Sequence, residues 1–142
     1  AGVAQSKKGL QKLKEFTAKE KVGAGVLADD PLLAAKIAKV EIDLMALEYT
    51  ELRAIASVSA GGAPGPESSI LKIRGTEIQQ AVSELTIEAC GHYAHVLNDG
   101  EPVGNDMSWV ASAKYLYGRA STIYGGSNEV QKNIIAKMVL GL

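Results

Sequence analysis

DPLLAAKIAKVEIDLMALEYTELRAIASVS, residues 30–59, decides the fold class. Asp30 suits a helix N-cap, because its carboxylate can accept hydrogen bonds from the free first-turn amides. Pro31 at the next position forfeits no bond. Leu33, Ile37, Val40, Leu44 and Leu47 then recur at steps of three and four, and Ile55 and Val58 resume the stripe after Glu51 interrupts it. That period belongs to an amphipathic helix. It predicts one helix from Pro31 to Ser59, about 40 Å long at 1.5 Å per residue.

Both flanks repeat the pattern. Upstream, Ser6 to Lys19 carries Leu10, Leu13, Phe16 and Thr17 at helical spacing, with lysines on its other faces, and fades around Gly23 and Gly25. Downstream, residues 60–67 read AGGAPGPE, which cannot continue a helix and predicts a loop. A third helix is expected from Ser68 to Leu97, on Leu71, Ile78, Val82, Leu85, Ala89 and Tyr93. Residues 98–105, NDGEPVGN, read as a turn. A fourth segment runs from Met107 to Arg119 with Trp109, Ala113 and Leu116. A last helix begins at Ser127 or Asn128, carries Val130, Ile134, Ile135, Met138 and Val139, and stops at Gly141. No alternating strand pattern or internal repeat stands out. The expected architecture is all-α, an antiparallel up-down helical bundle.

Composition narrows the function. The 142 residues suit one domain, with roughly 68–70% of the unfolded surface available for burial. A net charge of −1 offers nothing to nucleic acid, and no apolar run reaches the ~20 residues of a membrane span. Cys90 is the sole cysteine, which excludes an internal disulfide and suits a reducing compartment; a cytoplasmic protein is expected. The first residue is Ala1, so further chain is expected upstream.

The residues that carry chemistry are few. His92 and His95 share a helix with Glu88 and Cys90, but a di-metal bundle needs Glu-x-x-His pairs on two helices; no metal is expected. Cys90 adjoins a core position and reads as a buried, inert thiol. Neither nucleotide loop, G-x-x-x-x-G-K-[ST] or G-x-G-x-x-G, occurs. What remains is residues 119–142, RASTIYGGSNEVQKNIIAKMVLGL. Gly125 and Gly126 permit positive φ or a close approach, and the helix after them presents free amides and the positive end of its dipole. Ser127, Asn128 and Gln131 add hydrogen-bonding groups, and Tyr124 adds a flat apolar face. A plain turn with an N-cap accounts for these residues, and so does a binding turn.

Residues 123–131, IYGGSNEVQ, followed by Ile134-Ile135-Ala136, resemble the C-terminal signature of acyl-CoA dehydrogenases. Arg119 stands where the family has an arginine. Leu32 to Arg53 resembles the family's long helix, and Ser69-Ile70-Leu71-Lys72 its "aamaK" segment. The resemblance covers the chain as a C-terminal helical domain of a longer protein and is closest to a divergent bacterial branch. It implies FAD-dependent α,β-dehydrogenation of an acyl-CoA thioester, in fatty acid metabolism. By resemblance, Gly126 lies along substrate or flavin, Ser127, Asn128 and Glu129 along FAD with Gln131 close by, Tyr124 beside the flavin pocket, and Gly91 at an adenine contact. Partners implied are the acyl-CoA substrate and further subunits, either copies of this chain in a dimer or tetramer or a paired homologous subunit.

Three departures accompany it. Many members carry the catalytic glutamate at the position of Gly125, which has no side chain here and cannot act; others place it on an earlier helix, at a position falling before Ala1. The Arg-Gln-Phe-Gly motif is replaced by Glu20-Lys21-Val22-Gly23-Ala24-Gly25, with Lys21 the nearest cation. Gln-x-x-Gly-Gly becomes Glu88-Ala89-Cys90-Gly91-His92. The alternative reading is a degenerate, non-catalytic subunit or an assembly domain.

Overall fold

A computed structural model describes residues 2–63, 65–96, 100–101 and 103–142. Five α-helices carry the fold: α1 (Val3–Thr17), α2 (Pro31–Ser59), α3 (Glu67–Cys90), α4 (Ser108–Gly118) and α5 (Asn128–Ile135). α3 is the centre, with α1, α2, α4 and α5 all packed on it. Ion pairs give the directions. Lys7 pairs with Glu48 and Lys14 with Glu41, so α1 and α2 run antiparallel. Lys36 near the start of α2 meets Glu88 near the end of α3, so these two are antiparallel as well. Such exposed pairs contribute about 0–1 kcal/mol each and orient more than they stabilise.

The core lies where α1, α2 and α3 meet. Leu10 and Leu13 of α1 pack with Leu33, Ile37, Val40, Leu44 and Leu47 of α2, and with Ile78, Val82, Leu85 and Ala89 of α3. A smaller cluster of Cys90, Ala94 and Ala111 holds α4 to the end of α3. The first residues of α2 form as their sequence dictates. Asp30 Oδ1 accepts from the amides of Leu32 (2.8 Å) and Leu33 (3.3 Å). Asp30→Ala is expected to cost about 1 kcal/mol in a urea melt; an unchanged midpoint would mean that α2 is nucleated entirely by its core contacts.

The structure corrects several expectations. Residues 21–26 form a small hairpin, β1 (Lys21–Val22) against β2 (Gly25–Val26), around Gly23 at φ 59°. Two-residue strands are too short to show alternation. α1 starts at Val3 rather than Ser6 and ends at Thr17. α3 ends at Cys90, not Leu97, because Gly91 takes φ 58°, ψ −137°, and a 3₁₀ turn follows over Gly91–His95. Leu97, like Asn98, Asp99 and Pro102 of the expected turn and Pro64 of the earlier loop, lies outside the described residues.

Burial departs from the stripes at their far ends. Ile55 and Val58 of α2 and Tyr93 are exposed. α4 is turned the other way from its expected face: Ser108 and Ala111 are buried, while Trp109, Ala113 and Leu116 face out. Along α5 and the widened turn Ala136–Leu140 behind it, Val130, Met138 and Val139 are also exposed. Period marks an apolar face but does not say whether that face is covered within the same chain.

Candidate functional site

Each residue of the 119–131 stretch has a definite place. A 3₁₀ turn over Arg119–Thr122 follows α4 and is clamped to α3. Gln80 Nε2 directs its two protons among three acceptors, the carbonyls of Gly118 (3.3 Å) and Arg119 (3.4 Å) and Ser121 Oγ (3.3 Å). Arg119 reaches back: Nη1 donates to Glu84 Oε1 (2.8 Å), Nη2 to Ser83 Oγ (3.1 Å) and to the Gln80 carbonyl (3.4 Å), and Nε to the Tyr115 carbonyl (3.3 Å). Its guanidinium lies 4.4 Å from the Tyr115 ring centroid, a cation–π contact. Arg119 is therefore engaged in holding the approach to the turn.

The chain then leaves α3. Ile123 and Tyr124 bond back to the Ala120 carbonyl (2.9 and 3.0 Å), with both side chains exposed. Gly125 (φ 67°) and Gly126 (φ 85°) follow in left-handed conformation, which disfavours any side chain at either position. A Cβ on Gly125 would meet nothing within 4 Å, so open space faces that position. A Cβ on Gly126 would meet Gln131 Nε2, whose side chain folds back to donate to the Gly125 carbonyl (3.4 Å).

Ser127 is the N-cap of α5, in extended conformation, and its Oγ accepts from the Val130 amide (3.4 Å). Asn128 is only 7% exposed and turns inward; its Oδ1 accepts from Lys72 Nζ at 2.9 Å, with Thr76 Oγ1 at 3.5 Å. Glu129 points outward. Its own backbone amide, then the Ser127 hydroxyl, hold its carboxyl below the usual carboxylate range, with Lys132 and Lys72 assisting by charge. The start of α5 and the exposed Tyr124 ring thus border a turn that is open at Gly125, with the Gln131 side chain folded over Gly126. Such a turn can receive the polar edge and flat face of a ligand.

The other expected site positions lie elsewhere. Gly91 is about 20 Å from Thr76 along α3, so it does not share the turn's surroundings. Glu88 is paired with Lys36 (2.6 Å). Lys21 is exposed on β1. Cys90 is buried, and burial, with the charge of Glu20, pushes its thiol up to about 11. Among the described residues no three His, Cys, Asp or Glu side chains gather to hold a metal. Sequence reasoning named Lys72 only as part of the 69–72 segment, with no role, and did not single out Gln80 or Glu84. They are ordinary polar positions on α3, and only packing reveals what they hold.

The family model for the acyl-CoA dehydrogenase C-terminal domain matches residues 1–140. The chain belongs to the acyl-CoA dehydrogenase family. IpdE1, an acyl-CoA dehydrogenase of Mycobacterium tuberculosis, is 34% identical over 121 residues, covering 81% of this chain and 28% of IpdE1. IpdE1 of Mycolicibacterium smegmatis is 32% identical over 115 residues, covering 81% and 26%. The chain thus spans under a third of these relatives' length. Among solved structures, the ChsE4–ChsE5 complex of M. tuberculosis superposes with a TM-score of 0.81 at 25% identity, over 99% of this chain and 36% of the other. Butyryl-CoA dehydrogenase of Megasphaera elsdenii does so at 0.80 and 15%, over 98% and 34%, a likeness of fold alone. The bundle seen here is the C-terminal helical domain of acyl-CoA dehydrogenases, and no helix among its described residues is long and apolar enough to cross a membrane.

Proposed function

We propose that residues 1–142 are a single C-terminal helical domain of a longer, FAD-dependent acyl-CoA dehydrogenase acting on an acyl-CoA thioester, in the cytoplasm. The observation that carries this reading is the Gly125–Gly126 turn, open on one side, bordered by Tyr124 and leading into the capped start of α5. Bound FAD would supply a hydride acceptor for the acyl chain. The residues here fit the edge of such a group. Gly126 lets backbone approach it, Tyr124 flanks it, the Ser127 and Asn128 amides offer hydrogen bonds at the positive end of α5, and Gln131 holds the turn in shape. Asn128 serves through its backbone, its side chain being held by Lys72. Gly91, at the far end of α3 from Thr76, would meet a different part of the extended cofactor or the cofactor of a neighbouring subunit.

Assembly into a dimer or tetramer, or with a paired homologous subunit, forms part of the proposal. The exposed apolar residues of α2 support it, together with an open groove of about 770 Å³ whose lining includes Ile55, Val58, Ile70 and Leu71. Surfaces of this kind mark interfaces.

A second reading, a degenerate subunit of a hetero-oligomer, has one specific observation in its favour: Gly125 presents no base. Purification of the full-length protein separates the two. Bound flavin that an acyl-CoA bleaches is the expected result. Flavin that stays oxidised with every acyl-CoA tried supports the degenerate subunit, and a colourless protein unable to take up added FAD removes both cofactor claims.

A further inference from the structure

α5 is an eight-residue helix, and its one buried residue is polar. That residue, Asn128, directly follows the cap and stands two positions after Gly126. Val130 and Ile134 have substantial exposure and contribute little burial to fix it. The glycines of the turn have no side chains with which to anchor themselves. On the upstream side, the Gln80 and Arg119 clamps end at Ser121, and Ile123 and Tyr124 are exposed. Across residues 123–131, the side-chain contacts that reach another helix among the described residues meet at Asn128 Oδ1: Lys72 Nζ at 2.9 Å and, more weakly, Thr76 Oγ1 at 3.5 Å.

Lys72 is suited to that task. It projects from α3 beside Thr76, whose hydroxyl donates to the Ile73 carbonyl and sits 3.5 Å from the same Asn128 oxygen. A charged donor to a neutral amide oxygen makes a stronger bond than a neutral pair. An ammonium near a helix N-terminus opposes the dipole, and the neighbouring Glu129 carboxylate offsets this. The pair is partly buried and more shielded from solvent competition than the exposed ion pairs on α1 and α2.

We infer that Lys72 is the positioning residue of the Gly125–Gly126 turn, setting where the turn stands on α3 through its hydrogen bond to Asn128. The consequence for a cofactor rests on the flavin reading above; the anchor itself does not. Without Lys72 the turn keeps its glycines and its cap but loses its fixed station.

Amide hydrogen exchange on this chain tests the inference. Lys72→Met keeps an unbranched apolar stem and deletes the terminal ammonium with its charge and donor; Lys72→Arg restores both. In Lys72→Met the Tyr124 and Gln131 amides, which bond to the Ala120 and Ser127 carbonyls, are expected to exchange at least tenfold faster, with Leu44 and Val82 of the core unchanged. In Lys72→Arg they are expected to return to within about threefold of the parent. A change under twofold at Tyr124 and Gln131 overturns the inference. So does an equal rise throughout the chain, or loss of the fold, because Lys72 would then be holding the bundle rather than the turn. Failure of arginine to restore protection overturns it as well. The readout uses no flavin, so a negative result leaves the cofactor proposal standing, and a flavin-free full-length protein leaves the anchor standing.

Discussion

Leu13→Ala is expected to lower the free energy of unfolding by about 3 kcal/mol and the thermal midpoint by roughly 10 °C. Leu13 is 0% exposed and sits where α1 enters the cluster formed by α2 and α3. Truncation removes buried methyl groups and leaves a cavity, and both terms add. Its surroundings resist collapse, because Val40 and Leu44, the core positions of α2 nearest to it in the register set by Lys14–Glu41, belong to a 29-residue helix also fixed against α3. Urea denaturation followed by circular dichroism reads the loss. Leu116→Ala supplies the contrast: the same chemistry at 67% exposure is expected to cost under about 0.5 kcal/mol in the isolated chain. Equal losses at the two positions would show that α1 does not close the core as described.

Gly91→Ala is expected to cost about 1–3 kcal/mol, entirely through the backbone. At φ 58°, ψ −137° an L-residue is strained, yet a Cβ there would meet nothing within 4 Å. Gly118→Ala is the matched control. It ends α4 at φ −61°, ψ −19°, and it too would meet nothing. There alanine is expected to be neutral or to stabilise by about 0.4–1 kcal/mol, by restricting the unfolded chain. A thermal melt in which the two variants shift alike would remove the backbone account of Gly91. The result also bears on the site, because Gly91 already has a purpose in ending α3, whether or not it meets an adenine.

The long helix was legible because three independent signals agree over residues 30–59: a cap, a proline at the first turn, and a five-residue stripe that is buried as read. The stripe's continuation through Ile55 and Val58 was legible as apolar but not as uncovered. α4 was misjudged for a related reason. Its large residues, Trp109 and Leu116, suggested the buried face, whereas its tight approach to α3 and the 91–95 turn uses the small Ser108 and Ala111. Ser108 Oγ donates to the Asn105 carbonyl in the loop before α4, and Ser112 Oγ donates to the Ala94 carbonyl of the 91–95 turn. Size ranks hydrophobic gain, but close helix approach selects for small side chains, and a single sequence does not say which demand governs.

At the site, the Gly-Gly pair and the Ser127 cap could be read directly, since positive φ and N-capping are local properties of those residues. The sequence by itself determined what depends on neighbours within a few positions: the helices, most of their ends, the Gly125–Gly126 turn, and the family signature. Tertiary structure decided which apolar faces find a partner in this chain. It turned Asn128 inward to Lys72, 56 positions away, and committed Arg119 to Gln80, Ser83 and Glu84. These outcomes depend on how α3 lies against the other helices. A local stretch of sequence contains no information on that relation, because the groups that meet are brought together only when the core packs.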